Sequence, residues 1–141
     1  MKRPHRFEIT IEPSFGAQTK YEIDHGAVAI RQDSTVVQSA TPTLAQWSGF
    51  WRLCQFIDLW NWLPEYTSEE VMRDGQSWQL NIACDKNERI VSAGHNAYPS
   101  LESVNLARPT MDRFGLLLHF FDITLLTNRF DMRDDYNAVD A

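Results

Sequence analysis

A chain of 141 residues has the length of one domain and can bury roughly two thirds of its unfolded surface, so its fold requires neither disulfides nor a structural metal. A formal charge of -6 disfavours a nucleic-acid backbone as partner, because duplex binding runs on basic surface; it suits a basic protein partner or plain solubility. The N-terminal MKRPHRFEIT holds no apolar run of the kind a secretory signal needs, and no stretch approaches the roughly 18 apolar residues of a membrane span. With Cys54 and Cys84 in apolar patterns and in no spaced motif, reduced core cysteines and a cytoplasmic, membrane-free location are expected.

The chain opens with strand patterns. Phe7-Glu8-Ile9-Thr10-Ile11-Glu12 alternates apolar and polar, the signature of a half-buried strand. Tyr21-Glu22-Ile23 resumes the alternation after Pro13-Ser14-Phe15-Gly16. Turns at Asp24-His25-Gly26 and Asp33-Ser34 set off a strand over 27–32, with Val28 and Ile30 inward, and a short one over 35–39. The first third therefore reads as an antiparallel meander of three or four strands.

The period changes after Thr41-Pro42. Thr43 and Gln46 have the spacing of a capping box. Leu44, Trp47, Phe50, Trp51, Cys54 and Ile57 then recur at helical spacing, in a helix expected to end near Trp60. Leu53, Phe56 and Trp60 fall off that stripe. Asp58 lies at its edge, so it either reaches solvent at a fraying end or is a buried acid with a role. Pro64 closes the helical region, and 67–73 has room for one helical turn.

A hairpin follows, running from the turn at Asp74-Gly75 to Pro99. A loop centred on Lys86-Asn87 sets Ile82 opposite Val91, Leu80 opposite Ala93 and Trp78 opposite His95. This register makes Trp78, Leu80, Ile82, Val91 and Ala93 one apolar face with His95 at its end, and leaves Ser77, Gln79, Asn81 and Ser92 to the solvent. Residues 99–107 are irregular. A second helix opens at Pro109 or Thr110, with Asp112 near the positive end of its dipole and Met111, Phe114, Leu117, Leu118, Phe121 and Leu125 as its apolar stripe.

The expected fold is α+β: an antiparallel sheet of about five or six strands with two helices packed on one face, in a single domain over 1–126. Residues 127–141 read as an acidic, frayed tail in which Phe130 and Met132 dock locally.

Sequence motifs for chemistry are sparse. His5, His25, His95 and His119 lack metal-ligand spacing, and no cofactor or metal is expected. Cys54, His95 and Asn96 have the residue types of a thiol hydrolase, yet Cys54 sits mid-helix on an apolar stripe, where a thiolate is disfavoured. There is no Gly-x-Ser-x-Gly and no Gly-rich phosphate loop. The distinctive local run is Gly94-His95-Asn96-Ala97-Tyr98-Pro99. It reads either as a sharp exit from the sheet or as a loop presenting His95, Asn96 and Tyr98 to a ligand beside Trp78. Trp60, Trp62 and Tyr66 read either as core edge or as a protein-contact surface.

Three stretches carry a resemblance: Trp60 to Tyr66 as W-N-W-x-P-x-Y, Asp74 to Trp78 as D-G-x-x-W, and Gly94 to Pro99 as G-x-N-x-Y-P. Together they resemble a small bacterial domain family of uncharacterised function. The resemblance implies a bacterial source and transfers no functional residue. His95 stands where that pattern would carry a small polar residue.

Three functional expectations follow. The first is a non-enzymatic acidic protein that binds a basic protein partner, immunity-like or regulatory. The second is a small-ligand or hydrolytic pocket at Trp78, His95, Asn96 and Tyr98. The third is a homodimeric structural domain.

Overall fold

The structure, a computed structural model, describes residues 3–67, 76–99 and 112–128. In chain order these form β1 (Arg6–Pro13), β2 (Thr19–Asp24), β3 (Ala27–Gln32), β4 (Thr35–Ala40), α1 (Leu44–Phe56), a 3-10 turn (Leu59–Asn61), β5 (Glu65–Thr67), β6 (Gln76–Ala83), β7 (Arg89–His95) and α2 (Arg113–Phe120). A π-helical turn over Phe121–Leu126 continues α2.

The fold is α+β, as expected, but among the described residues the sheet has seven strands rather than five or six, in the order β4-β3-β2-β1-β6-β7-β5. The added strand is β5, which pairs in parallel with β7, Tyr66 lying beside Gly94. Its three residues carry no alternation of their own, and a strand so short exists only because β7 offers it a ladder.

Local chemistry explains the meander. The β2–β3 and β3–β4 hairpins close through the two-residue loops His25-Gly26 and Asp33-Ser34, in which all four residues have positive φ. That geometry matches the right-handed twist of the flanking strands, and Gly, Asp and Asn tolerate it best. The Asp33 carboxylate also accepts the Gln18 N–H at 3.0 Å and ties the β3–β4 turn to the connection between β1 and β2.

Helix α1 starts as read. The Thr43 side chain accepts the Gln46 N–H at 3.1 Å, and the Gln46 side chain accepts the Thr43 N–H at 2.9 Å. It ends at Phe56, earlier than expected, and the chain breaks into the 3-10 turn through Asp58, whose φ is 51°. Asp58 is exposed and accepts from the Asn61 side-chain amide at 2.7 Å, so it is a local turn former and not a buried acid. Leu53 is buried although it lies off the expected stripe, while Leu44 on that stripe is exposed. Helix α2 begins with Asp112 as its N-cap, its Oδ1 accepting the Gly115 N–H at 2.8 Å.

The core lies on one face of the sheet. Phe7, Ile9 and Ile11 of β1, Val28 of β3, Trp78, Leu80 and Ile82 of β6 and Ile90 of β7 meet the helices there. The Phe7 ring lies 6.1 Å from Trp47, 5.9 Å from Phe50 and 5.4 Å from Phe121, while Trp78 lies 4.5 Å from Phe114.

The central hairpin departs from the expected register by one residue. Ile82 faces Ile90, Leu80 faces Ser92 and Trp78 faces Gly94. The reason is the loop. Cys84 to Glu88 lie between the last pair, Ala83 and Arg89. The Cys84 N–H donates to the Glu88 carbonyl at 2.8 Å, and the Asp85 carboxylate accepts the N–H groups of Asn87 and Glu88 at 2.8 Å each. A shift of one residue turns every β7 side chain over. Val91 is therefore 64% exposed rather than core, and Ser92 is fully buried, its hydroxyl donating to the Leu63 carbonyl at 2.6 Å.

The expected turn at Asp74-Gly75, the helical turn after Thr67, the irregular stretch beyond Pro99, Pro109, Thr110 and Met111, and Phe130 and Met132 of the tail lie outside the described residues.

Candidate functional site

The corrected register separates the four residues proposed as a ligand set. Trp78 points into the core, where its ring stacks at 6.3 Å on Tyr98 and meets Trp62 edge-on at 6.3 Å. Its indole N–H donates to the Ala97 carbonyl at 2.8 Å. Tyr98 is buried beside it, and its hydroxyl donates to the Gln76 side-chain oxygen at 2.5 Å. Burial, and then the nearby Asp112, push the Tyr98 phenol above its ordinary value, so it acts as a hydroxyl donor.

Asn96 takes positive φ, 53°, at the end of β7. Its side-chain oxygen accepts the Gln76 N–H at 2.8 Å and its own N–H donates to the Gln76 carbonyl at 2.9 Å. Asn96 thus closes the end of the β6–β7 ladder through backbone groups. His95 lies on the opposite side of the sheet, exposed, with its Nδ1 2.7 Å from the Ser77 Oγ directly across the ladder. Trp78 and Tyr98 therefore belong to the core, Asn96 to the turn, and His95 to the open face.

The aromatic contact set divides similarly. Trp62 is buried and its indole N–H donates to the Ile57 carbonyl at 2.7 Å. Trp60 is half-buried against Trp51, with ring centres 5.5 Å apart. Tyr66 is half-buried, 5.9 Å from Trp78, and its hydroxyl accepts the Leu63 N–H at 2.9 Å. The apolar side chains that do face solvent near them are Phe56, 71% exposed, and Leu63, 59% exposed.

The concave feature that includes His95 is a groove of about 290 Å³ across β1, β6, β7 and β5. Its polar lining is Thr10 and Glu12 from β1, Ser77 and Gln79 from β6, His95 from β7 and Glu65 from β5, with Ala93, Gly94, Trp78 and Tyr66 completing it. Register places them: Thr10 pairs with Gln79, Glu12 with Ser77, Ser77 with His95, and Glu65 with Ala93, so all lie in two adjoining rows. Glu12 accepts from the Gln18 side-chain amide at 2.6 Å. Further along the same face, one carboxylate, Glu22, takes both Lys20, at 3.6 Å, and Arg31. Sequence alternation marks Ser77 and Gln79 as outward. It does not reveal that Glu12 and Glu65, far apart in the chain, come to the same groove.

Cys54 and Cys84 are free and buried, and burial with Cys84 nearby raises the Cys54 thiol well above its ordinary value, the reverse of what a nucleophile needs. Among the described residues no group of three or more His, Cys, Asp or Glu is placed to hold a metal, and no helix is long and apolar enough to cross a membrane.

The most perturbed described carboxyl is Asp112, on the core side. It is buried, its Oδ2 has no hydrogen-bond partner, and its pKa is pushed up to about 6 by desolvation, against the pull of the Gly115 and Phe114 N–H groups. A folded-state value above the ordinary 3.8 means that the native state binds more protons in between. Ionised Asp112 therefore costs stability: its contribution is most favourable below the ordinary value and is lost as pH rises through about 6. Asp112→Asn keeps an N-cap acceptor. Relative to wild type, the variant is expected to gain stability as pH rises through that window, on the order of 2 kcal/mol. Urea unfolding midpoints of the two proteins across the range measure it, and a pH-independent difference would contradict it.

Comparison of the chain with protein-family models, curated proteins and solved structures gives no match.

Proposed function

We propose that the protein acts by binding another protein, a basic one, through the open face of its sheet. The observation that carries this reading is the groove, lined by the carboxylates Glu12 from β1 and Glu65 from β5 on a chain of net charge -6. A partner's lysine or arginine seated there meets acceptors on a preformed strand scaffold, and the overall field steers its approach. An immunity-like or regulatory role in the bacterial cytoplasm goes with this reading. It is supported by the three sequence stretches that resemble a bacterial domain family and by two free, buried cysteines, as a reducing compartment leaves them.

The test is a photo-crosslinking residue in place of Gln79, which is exposed in the groove, against a control at the exposed Gln55 on α1. One basic protein captured from Gln79 and not from Gln55 is expected. The purified complex should weaken at least about tenfold on Glu12→Gln with Glu65→Gln, and the loss should shrink as salt rises. Capture from Gln55 alone, or an unchanged affinity in the double variant, would overturn the reading.

A second reading is favoured by one contact, the 2.7 Å approach of Ser77 Oγ to His95 Nδ1 within the groove. It makes the groove a small-ligand or hydrolytic pocket. Its signature is a small molecule that raises the melting temperature of the wild type but not of His95→Ala.

A further inference from the structure

We infer that β4 is a self-association edge, at which a second copy of this chain adds its own β4 antiparallel to the first. The sheet has two ends, β4 and β5, and they differ in kind. β5 follows Pro64 and begins with the charged Glu65, features that discourage strand addition. β4 is TVVQSA, six residues with no charge, proline or glycine. Thr35 through Ser39 are all exposed, Val36 at 45% and Val37 at 53%. An uncharged strand that opens on the β-branched Thr35, Val36 and Val37 and has one side open offers its outward N–H and C=O groups to another strand.

Among the described residues, the protective device on β4 is a bulge. Ile30 pairs with Gln38 and Arg31 with Val36, which leaves Val37 as the extra residue. The ladder to β3 is in register on both sides of it, at Thr35 and Val36 and again from Gln38 through Ala40, so the edge remains a template along the strand. Leu44, at the start of α1 just beyond β4, is also exposed.

Electrostatics selects the occupant. A strand with no charge offers a foreign partner no attraction to choose it by. Antiparallel self-pairing, in any register within the strand, sets uncharged side chains only against uncharged side chains, which matters between two molecules of charge -6 each. A two-fold contact of this kind consumes both β4 edges and leaves only the guarded β5 ends outermost, so the assembly closes at two copies and does not extend into a fibre. A single pair of six-residue strands is a small interface, and the dimer is accordingly weak and concentration-dependent.

The experiment is sedimentation velocity on the full chain over a rising concentration series, with backbone hydrogen exchange read at 35–40. Wild type is expected to move from monomer to dimer, with exchange at 35–40 slowing in step. Val36→Lys with Val37→Lys puts four cations into the two-fold contact. Because both valines are exposed, circular dichroism and the melting temperature should be unchanged while dimerisation weakens at least tenfold. Glu12→Gln with Glu65→Gln should leave dimerisation untouched, which separates this inference from the groove reading. A strict monomer at the highest soluble concentration would overturn it. So would a dimer indifferent to the two lysines, or protection of 35–40 that arises only when a different protein is added.

Discussion

Trp78→Ala is expected to cost about 3–5 kcal/mol, the range for truncating a large buried aromatic where the surroundings relax only in part. Set against the roughly 5–15 kcal/mol of total stability usual for a domain, this removes about a fifth or more of it. Trp78 is 2% exposed and lies against Phe114 at 4.5 Å, Tyr66 at 5.9 Å, and Trp62 and Tyr98 at 6.3 Å each. It thereby joins the sheet, the 3-10 turn, β5 and α2. Truncation also leaves the Ala97 carbonyl without its indole donor at 2.8 Å. Denaturant unfolding followed by far-ultraviolet circular dichroism measures the loss. The control is Trp60→Ala, whose ring is half-buried and should cost less than half as much. Equal costs at the two positions would refute the assignment of Trp78 as the hub.

Gly94→Ala should be nearly as damaging, about 3 kcal/mol, although it adds a single methyl group. Gly94 stands directly across the ladder from Trp78. A Cβ there would run into the Trp78 Nε1 and into the Ala97 carbonyl oxygen, and would lie 2.5 Å from the Trp78 Cε2. These are the two groups joined by the indole hydrogen bond, so neither can withdraw without breaking it. The clash with the ring makes a second measurement informative. In a Trp78→Phe background the indole nitrogen is gone, and Gly94→Ala should cost less by on the order of 1 kcal/mol. Strict additivity of the two substitutions would show that the ring and the glycine do not constrain each other. Gly94 is thus required because Trp78 needs a position without a side chain beneath its ring.

That requirement accounts for the register. Ile90 and Val91 are both β-branched, so the apolar pattern of β7 fits either face almost equally well. Reading inward at Val91, Ala93 and His95 is reasonable from alternation alone. The structure reads inward at Ile90, Ser92 and Gly94, because the loop from Cys84 to Glu88 and the bulk of Trp78 decide between two patterns that sequence leaves nearly degenerate. Ser92 gives no sign in sequence of being buried. Its partner, the Leu63 carbonyl, lies 29 residues away in the chain.

The groove illustrates the same boundary. Its outward positions Thr10, Glu12, Ser77 and Gln79 follow from alternation in β1 and β6, which is strong because the opposite face is continuously apolar. Glu65 does not follow, since β5 exists only through parallel pairing with β7. His95, Asn96 and Tyr98 are adjacent in sequence but diverge in space: a strand end turns successive residues to opposite sides, and the positive φ of Asn96 then redirects the chain into the core.

What the sequence determined by itself was everything written in short-range periodicity and local hydrogen bonding. That comprises the meander and the places of its turns, the Thr43 cap, the bulk of α1 and the α+β class, whereas the second helix, read from Pro109 or Thr110, begins at Arg113 with Asp112 as its cap. What only the tertiary structure decided was pairing: a seventh, parallel strand, the register of the β6–β7 hairpin, the separation of His95 from Trp78, and the placing of Glu12 and Glu65 along one groove. The physical reason is range. Periodicity and caps are set within a few residues, whereas pairing compares alternatives nearly equal in local energy and is fixed by whichever lets Trp78 be buried without a clash.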